Sequence, residues 1–139
     1  DDRPAIFERT LELFDEVGVD FIAANIMTPF PGTPIYDEMD RAGRIRDYDW
    51  SKYDFNHVVF EPRHMSAETL QRGTSWVRTQ FYRRRAVARR LRRSLAYLDL
   101  GTVLHAVVSL NVGFRSRMAR SGTMEAGQRF VPPAAGEEV

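Results

Sequence analysis

One short ribbon constrains this chain more than anything else in it: Val19-Asp20-Phe21-Ile22-Ala23-Ala24-Asn25-Ile26-Met27, almost continuously apolar and placed directly after a glycine. A run of that length beside a glycine stop predicts a strand over 20–27, buried on both faces as in parallel sheets. Such a strand needs hydrogen-bonded neighbours along both edges, or a cover for the free one, because dry unpaired backbone groups are costly. The chain offers one further, weaker strand, Val58-Val59-Phe60. Two solutions stay open. Either the sheet is completed by polypeptide from outside these residues, or strands at 20–27 and 55–60 pair with each other under the helices.

The rest of the sequence reads as helices and one irregular stretch. Residues 4–17 predict a helix, with Pro4 at its first position, Ile6, Phe7, Leu11, Phe14 and Val17 on one face, and Gly18 as its C-terminal cap. Its position at the first residues suggests that the strand before it lies upstream. Thr33 is placed to cap a short helix from Pro34, with Tyr36 and Met39 facing inward and Gly43 ending it. Residues 44–63 are irregular and aromatic-rich. Ser66 caps a long helix expected to run to about Ser94, with Glu68 in the first turn and an apolar stripe of Leu70, Val77, Phe81, Val87 or Ala88, Leu91 and Leu95. A further helix is expected over 100–118, with Val103, Leu104, Val107, Val108, Leu110 and Phe114 as its apolar part. The segment 119–139 has little periodicity and reads as a disordered tail.

Composition excludes several chemistries. With no cysteine among 139 residues, the chain holds no disulfide, no thiolate metal site, no cysteine nucleophile and no cysteine-ligated iron–sulfur cluster. No apolar run reaches the roughly 18 residues of a membrane span, and the opening residues do not read as a signal peptide. The formal charge of +1 conceals an asymmetry: residues 1–60 carry 13 acidic against 6 basic side chains, residues 61–139 carry 6 against 14.

The most specific segment is Asn25-Ile26-Met27-Thr28-Pro29-Phe30-Pro31-Gly32-Thr33-Pro34-Ile35-Tyr36, followed by Gly43-Arg44-Ile45 and Asp49-Trp50-Ser51-Lys52-Tyr53. With Phe7-Glu8-Arg9-Thr10 before it and Met65-Ser66-Ala67-Glu68-Thr69-Leu70 after it, this ordered series resembles the C-terminal part of a radical S-adenosylmethionine enzyme. It is most similar to the branch with an N-terminal cobalamin-binding domain, over residues 4 to about 95 and more loosely to 118. The resemblance implies an α/β fragment, mostly helical: the last helix–strand–helix portion of a partial (β/α) barrel, followed by a C-terminal helical extension. It divides the chain into the barrel end and following loop (1–64), the helical extension (65–118) and the tail (119–139). In that family a Cys-x-x-x-Cys-x-x-Cys loop binds a 4Fe–4S cluster, which cleaves S-adenosylmethionine to a 5′-deoxyadenosyl radical, and methylcobalamin commonly supplies a methyl group. This chain lacks those cysteines, the upstream strands and the cobalamin domain, so it is expected to bind none of these cofactors alone and to be inert by itself.

The residues from Met27 to Thr33 would then sit at the C-terminal end of a barrel strand, where such barrels place their sites. Pro29, Pro31 and Pro34 stiffen the loop, Gly32 permits a positive φ, and Phe30 can contact a ring. Thr28, Pro29, Phe30, Pro31, Gly32 and Thr33, with Asn25, are therefore expected to wall an adenosyl or substrate pocket; the plain reading is a strand-to-helix turn. Asn25 either lines the barrel interior or hydrogen-bonds a neighbour. No residue is singled out as catalytic or as a metal ligand.

Other signals are weaker. His57, Glu61 and His64 match no standard ligand spacing and read as loop residues. His105, among Val103, Leu104 and Val107, reads as a packing histidine, and the many acids of residues 1–54 as a solvated face. Arg83, Arg84, Arg85, Arg89, Arg90, Arg92 and Arg93, with Arg78, form a basic face. Docking on the acidic half of the chain ranks first for that face, contact with an anionic membrane second and nucleic acid third, since no stacking or reading motif accompanies it. The expected partner is the remainder of the barrel upstream, the substrate a small or lipid-like molecule, and the location cytoplasmic or peripheral to a membrane. The rival reading is a stand-alone module whose basic helices bind an anionic membrane or an acidic partner.

Overall fold

A computed structural model describes residues 3–120 and Phe130. Its elements are α1 (Ile6–Val17), α2 (Pro34–Arg41), a 3-10 turn at Trp50–Lys52, α3 (Ala67–Phe81) and α4 (Arg84–Ser94). They end in a continuous helix made of α5 (Leu100–Thr102), a π-helical stretch (Val103–Val108) and α6 (Ser109–Arg120).

The caps follow the sequence. Gly18 closes α1 at φ 81, its N–H bonded to the Phe14 carbonyl at 3.1 Å. Thr33 Oγ1 accepts from Tyr36 N, and Ser66 Oγ accepts from Thr69 N at the start of α3. The expected helix over 66–94 is instead two. Tyr82 ends α3 and Arg83 is extended, a break that involves neither proline nor glycine. It is sustained by tertiary contacts that a straight helix would not make together: the Tyr82 hydroxyl reaches the ribbon, and Arg90 of α4 folds back over the Phe81 ring with its guanidinium 3.8 Å from the centroid.

The expected strand over 20–27 is not formed; among the described residues there is no strand, only an isolated bridge between Ile45 and Phe60. The ribbon is extended but unpaired to any neighbouring strand, and the alternative pairing with 55–60 reduces to one bond, Ile26 N–H to the Phe55 carbonyl at 2.9 Å. The physical reason lies in which backbone groups find partners. In an extended segment alternate residues point their N–H and C=O to opposite edges. On the even-numbered edge side chains replace a neighbouring strand. The Asp20 carbonyl accepts from Asn111 Nδ2 at 3.2 Å, and the Ile22 carbonyl accepts from the Tyr82 hydroxyl at 2.8 Å, which in turn accepts from Ile22 N–H. The Ala24 carbonyl accepts from Arg78 Nε at 2.6 Å. On the odd-numbered edge the backbone groups of Phe21, Ala23, Asn25 and Met27 hydrogen-bond to nothing among the described residues.

Burial alternates in the same way. Ile22 and Ile26 are buried, whereas Ala23, Asn25 and Met27 are exposed. One core gathers Phe7, Ile22, Val77, Phe81, Tyr82, Met118 and Phe130; the other gathers Met39, Ile45, Tyr53, Val59 and Phe60, and Leu70 touches both. Leu95 of the expected stripe is exposed, and Trp76, on α3 beside that stripe, is half-buried. Of the tail at 119–139, residues 121–129 and 131–139 lie outside the described residues, and Phe130 packs edge-on against Phe7 at 5.9 Å.

Tyr82 offers a direct test of this side-chain edge. Burial raises its pKa, against the Ile22 hydrogen bond and the Arg90 charge, so the phenol stays protonated and able to donate. Tyr82→Phe leaves the Ile22 backbone unpaired in a dry site. The expected loss is about 1–3 kcal/mol in urea unfolding, and a loss indistinguishable from zero would mean that the hydroxyl does not hold the ribbon.

Candidate functional site

A cleft of about 740 Å³ opens over the ribbon, between Ala23 and Asn25 on one wall, the turn Asp54–His57 on another and Arg78, Tyr82, Phe114 and Arg117 on the helical side. Its size falls within the range of small-molecule sites, and it combines aromatic walls with a few polar groups.

The turn at 54–57 is built by one carboxylate. Asp54 Oδ1 accepts from Asn56 N–H at 2.9 Å and from His57 N–H at 3.2 Å, and lies 2.9 Å from His57 Nδ1. Burial pushes the Asp54 pKa up, but the donors of Asn56 and His57 outweigh it and hold the group at about 2. This folded-state depression gives stability that is present above the ordinary carboxylate value of 3.8 and is lost as pH falls from there through about 2. A carboxyl-shift NMR titration of Asp54 is expected to show its midpoint near that lower value; an ordinary midpoint would mean that the turn is not closed in solution.

Phe55, between Asp54 and Asn56, holds φ 65, a left-handed conformation costly for a bulky residue. Four contacts fix it there: its carbonyl accepts from Ile26 N–H and Arg78 Nη2, its N–H donates to Thr28 Oγ1 at 3.2 Å, and its ring meets Phe30 at 5.4 Å. Arg78 thus spans the ribbon, Phe55 and the Asn56 side chain, to which Nη1 donates at 3.0 Å. Burial lowers its pKa, and the Asp54 charge partly opposes that.

Of the residues the sequence pointed to, Asn25 lines this cleft, exposed and with no hydrogen-bond partner among the described residues. The loop divides. Thr28 and Pro29 are buried, with Thr28 Oγ1 also donating to the Ile26 carbonyl at 3.3 Å. Phe30, Pro31 and Gly32 are exposed, Gly32 at φ 80 in open space. Thr33 Oγ1 donates to the Phe30 carbonyl at 2.6 Å and caps α2. His57 joins Asp54 rather than Glu61 or His64; Glu61 pairs with Arg46 at 3.2 Å. His105 is exposed rather than packed, because Val103 and Val107 take the inward positions. Among the described residues no three metal-ligating side chains stand together.

The basic face is also divided. Arg89 pairs with Asp15 and Arg93 with Asp20 at 3.4 Å, which is the docking on the acidic half. Arg78 and Arg90 turn inward instead; Arg90 Nη2 donates to Asn111 Oδ1 at 2.9 Å, while Arg90 Nε and Arg93 Nε are buried with no hydrogen-bond partner among the described residues. Gln71, Ser75, Arg78 and Tyr82 line the cleft from one helix face. Their spacing of four, three and four residues was the available signal for an inward polar stripe.

The chain is similar to the C-terminal part of a radical S-adenosylmethionine enzyme, of the branch with an N-terminal cobalamin-binding domain. Two curated relatives from Chlorobaculum tepidum carry that likeness. Bacteriochlorophyllide d C-12(1)-methyltransferase is 33% identical over 91 residues, which is 66% of this chain and 20% of that protein. Bacteriochlorophyllide d C-8(2)-methyltransferase is 32% identical over 40% of this chain and 15% of that protein. The chain therefore spans about a fifth or less of the length of these relatives. No protein-family model matches it, and no solved structure matches it significantly.

Proposed function

We propose that this chain is the closing segment of a radical S-adenosylmethionine methyltransferase barrel, in which residues 20–27 act as the last strand and the cleft over Ala23 and Asn25 forms part of the adenosyl or substrate wall. The observation that carries this reading is the one-sided ribbon. Its even edge is held by Asn111, Tyr82, Arg78 and Phe55, whereas among the described residues its odd edge bonds to nothing and Ala23, Asn25 and Met27 stand exposed. A bare edge of that kind suits the addition of a neighbouring strand. It accords with the expectation that the remainder of the barrel lies upstream.

The residues present do not fit an iron–sulfur cluster: with no cysteine the chain supplies no thiolate, so cluster ligands would come from outside it. Cobalamin, as methyl carrier, would likewise be held by a domain outside this chain. What these residues contribute is position. Buried Thr28 and Pro29 anchor the loop, Phe55 meets the loop's Phe30 edge-on, and Asn25 presents to the cleft an amide with no hydrogen-bond partner among the described residues. The relatives' acceptor, bacteriochlorophyllide d, is the first substrate to try.

The test begins with the DNA preceding the Asp1 codon, where an in-frame, strand-rich region carrying Cys-x-x-x-Cys-x-x-Cys is expected. The joined polypeptide, reconstituted and reduced, should convert S-adenosylmethionine to 5′-deoxyadenosine, and the 139-residue chain should not. A stop codon with a ribosome site immediately upstream, or cluster binding by the chain alone, would overturn the proposal.

A further inference from the structure

Over Leu100–Phe114 the last helix carries large apolar side chains on its outer side as well as its inner one, beside exposed Thr102, His105 and Ser109. Val103, Val107 and Met118 are buried on its inner face together with Asn111, which donates to the Asp20 carbonyl. On the outside Leu100, Leu104, Leu110 and Val112 are 46–61% exposed, and Leu95 and Tyr97 add to them at the turn leading in. From Leu100 to Phe114 there is no Asp, Glu, Lys or Arg. A cluster of exposed large apolar side chains marks a surface that another body covers. At roughly 1.5 Å per residue this stretch is too short to cross a bilayer, and among the described residues no helix is long and apolar enough to do so.

Charge selects the cover. Residues 83–120 carry ten arginines and one acid, Asp99, whose carboxylate caps Thr102. Arg89 and Arg93 are matched by Asp15 and Asp20, Arg90 is buried, and Arg115 donates to the Tyr82 carbonyl. Arg83, Arg84, Arg85, Arg92, Arg117 and Arg120 have no acidic partner among the described residues. They flank the apolar stretch in the chain on both sides. A second copy would bring like charge against like, and a neutral apolar groove would leave these guanidinium groups unmatched. An apolar face flanked by unmatched arginines suits the boundary of an anionic bilayer.

We propose that the outer face of Leu100–Val112 and the flanking arginines dock this chain on an anionic lipid surface. The inference does not rest on the barrel reading and would survive its failure. The experiment is co-sedimentation of the full chain with vesicles of phosphatidylcholine alone and of phosphatidylcholine mixed with phosphatidylglycerol. Binding is expected with the mixed vesicles only, and it should weaken steeply as salt is raised. Leu100→Asp with Leu104→Asp, and separately Arg83→Gln with Arg84→Gln and Arg85→Gln, should each weaken it at least about tenfold. All five side chains are exposed, and unchanged circular dichroism would show that the fold survives. Absence of binding to the mixed vesicles, equal binding to both kinds, or a concentration-dependent dimer dissolved by Leu104→Asp would overturn the proposal.

Discussion

Replacing Gly73 with alanine is expected to destabilise the chain by about 2 kcal/mol net, although alanine is the better helix former by about 1 kcal/mol. Gly73 lies in α3 where it crosses α1, and a Cβ there would stand 2.1 Å from Phe7 Cε2 and 2.2 Å from Phe7 Cζ. Phe7 cannot swing aside cheaply, because its ring is buried and meets Phe130 edge-on. Overpacking therefore exceeds the gain in propensity. Gly113 is the control: it is helical, with nothing within 4 Å of a built Cβ, so Gly113→Ala should be neutral or stabilising by up to about 1 kcal/mol. Urea unfolding of both variants separates the two effects. Equal behaviour would mean that α1 and α3 do not meet at Gly73.

Phe81→Ala is expected to cost about 3–5 kcal/mol. The ring is buried, lies edge-on to Phe14 at 5.9 Å and to Tyr82 at 5.1 Å, and forms the platform under the Arg90 guanidinium. Its removal leaves a cavity and deprives a buried cation, already with an unpartnered Nε, of its aromatic face. Trp76→Ala, at a half-buried position on the same helix, should cost clearly less. Thermal or urea unfolding reads both. A Phe81→Ala loss below about 1 kcal/mol would mean that α4 does not fold back on α3.

These contacts mark where sequence and structure part. Local signals were legible: Gly18, Thr33 and Ser66 cap the helices their chemistry suits, and Phe7, Met39, Val77 and Phe81 are buried as their spacing implies. The break at Tyr82–Arg83 was not, because no residue there is a helix breaker and the ribbon carbonyl that Tyr82 reaches lies 60 residues away. Arg78 and Arg90 read as part of an outer basic face, since charge pattern alone cannot show that a guanidinium will be drawn inward by a carbonyl or an aromatic ring. The ribbon was legible as an extended apolar segment but not in how its edges are treated. Asn111 and Tyr82, which bond to its even edge, lie 91 and 60 residues away from their partners. The cleft was half legible: Asn25 stood out as a polar residue in an apolar run, whereas the Asp54–His57 turn is set by hydrogen bonds that leave no spacing signature.

Amide hydrogen exchange along residues 21–27 tests most directly whether the ribbon is finished on one side only. In the 139-residue chain Ile22 and Ile26 should be protected, while Phe21, Ala23, Asn25 and Met27 exchange freely; joined to the polypeptide encoded upstream, the odd-numbered amides should become protected too. Uniform protection of residues 21–27 in the chain alone would contradict the account, because it would require a second neighbour from within the same molecule.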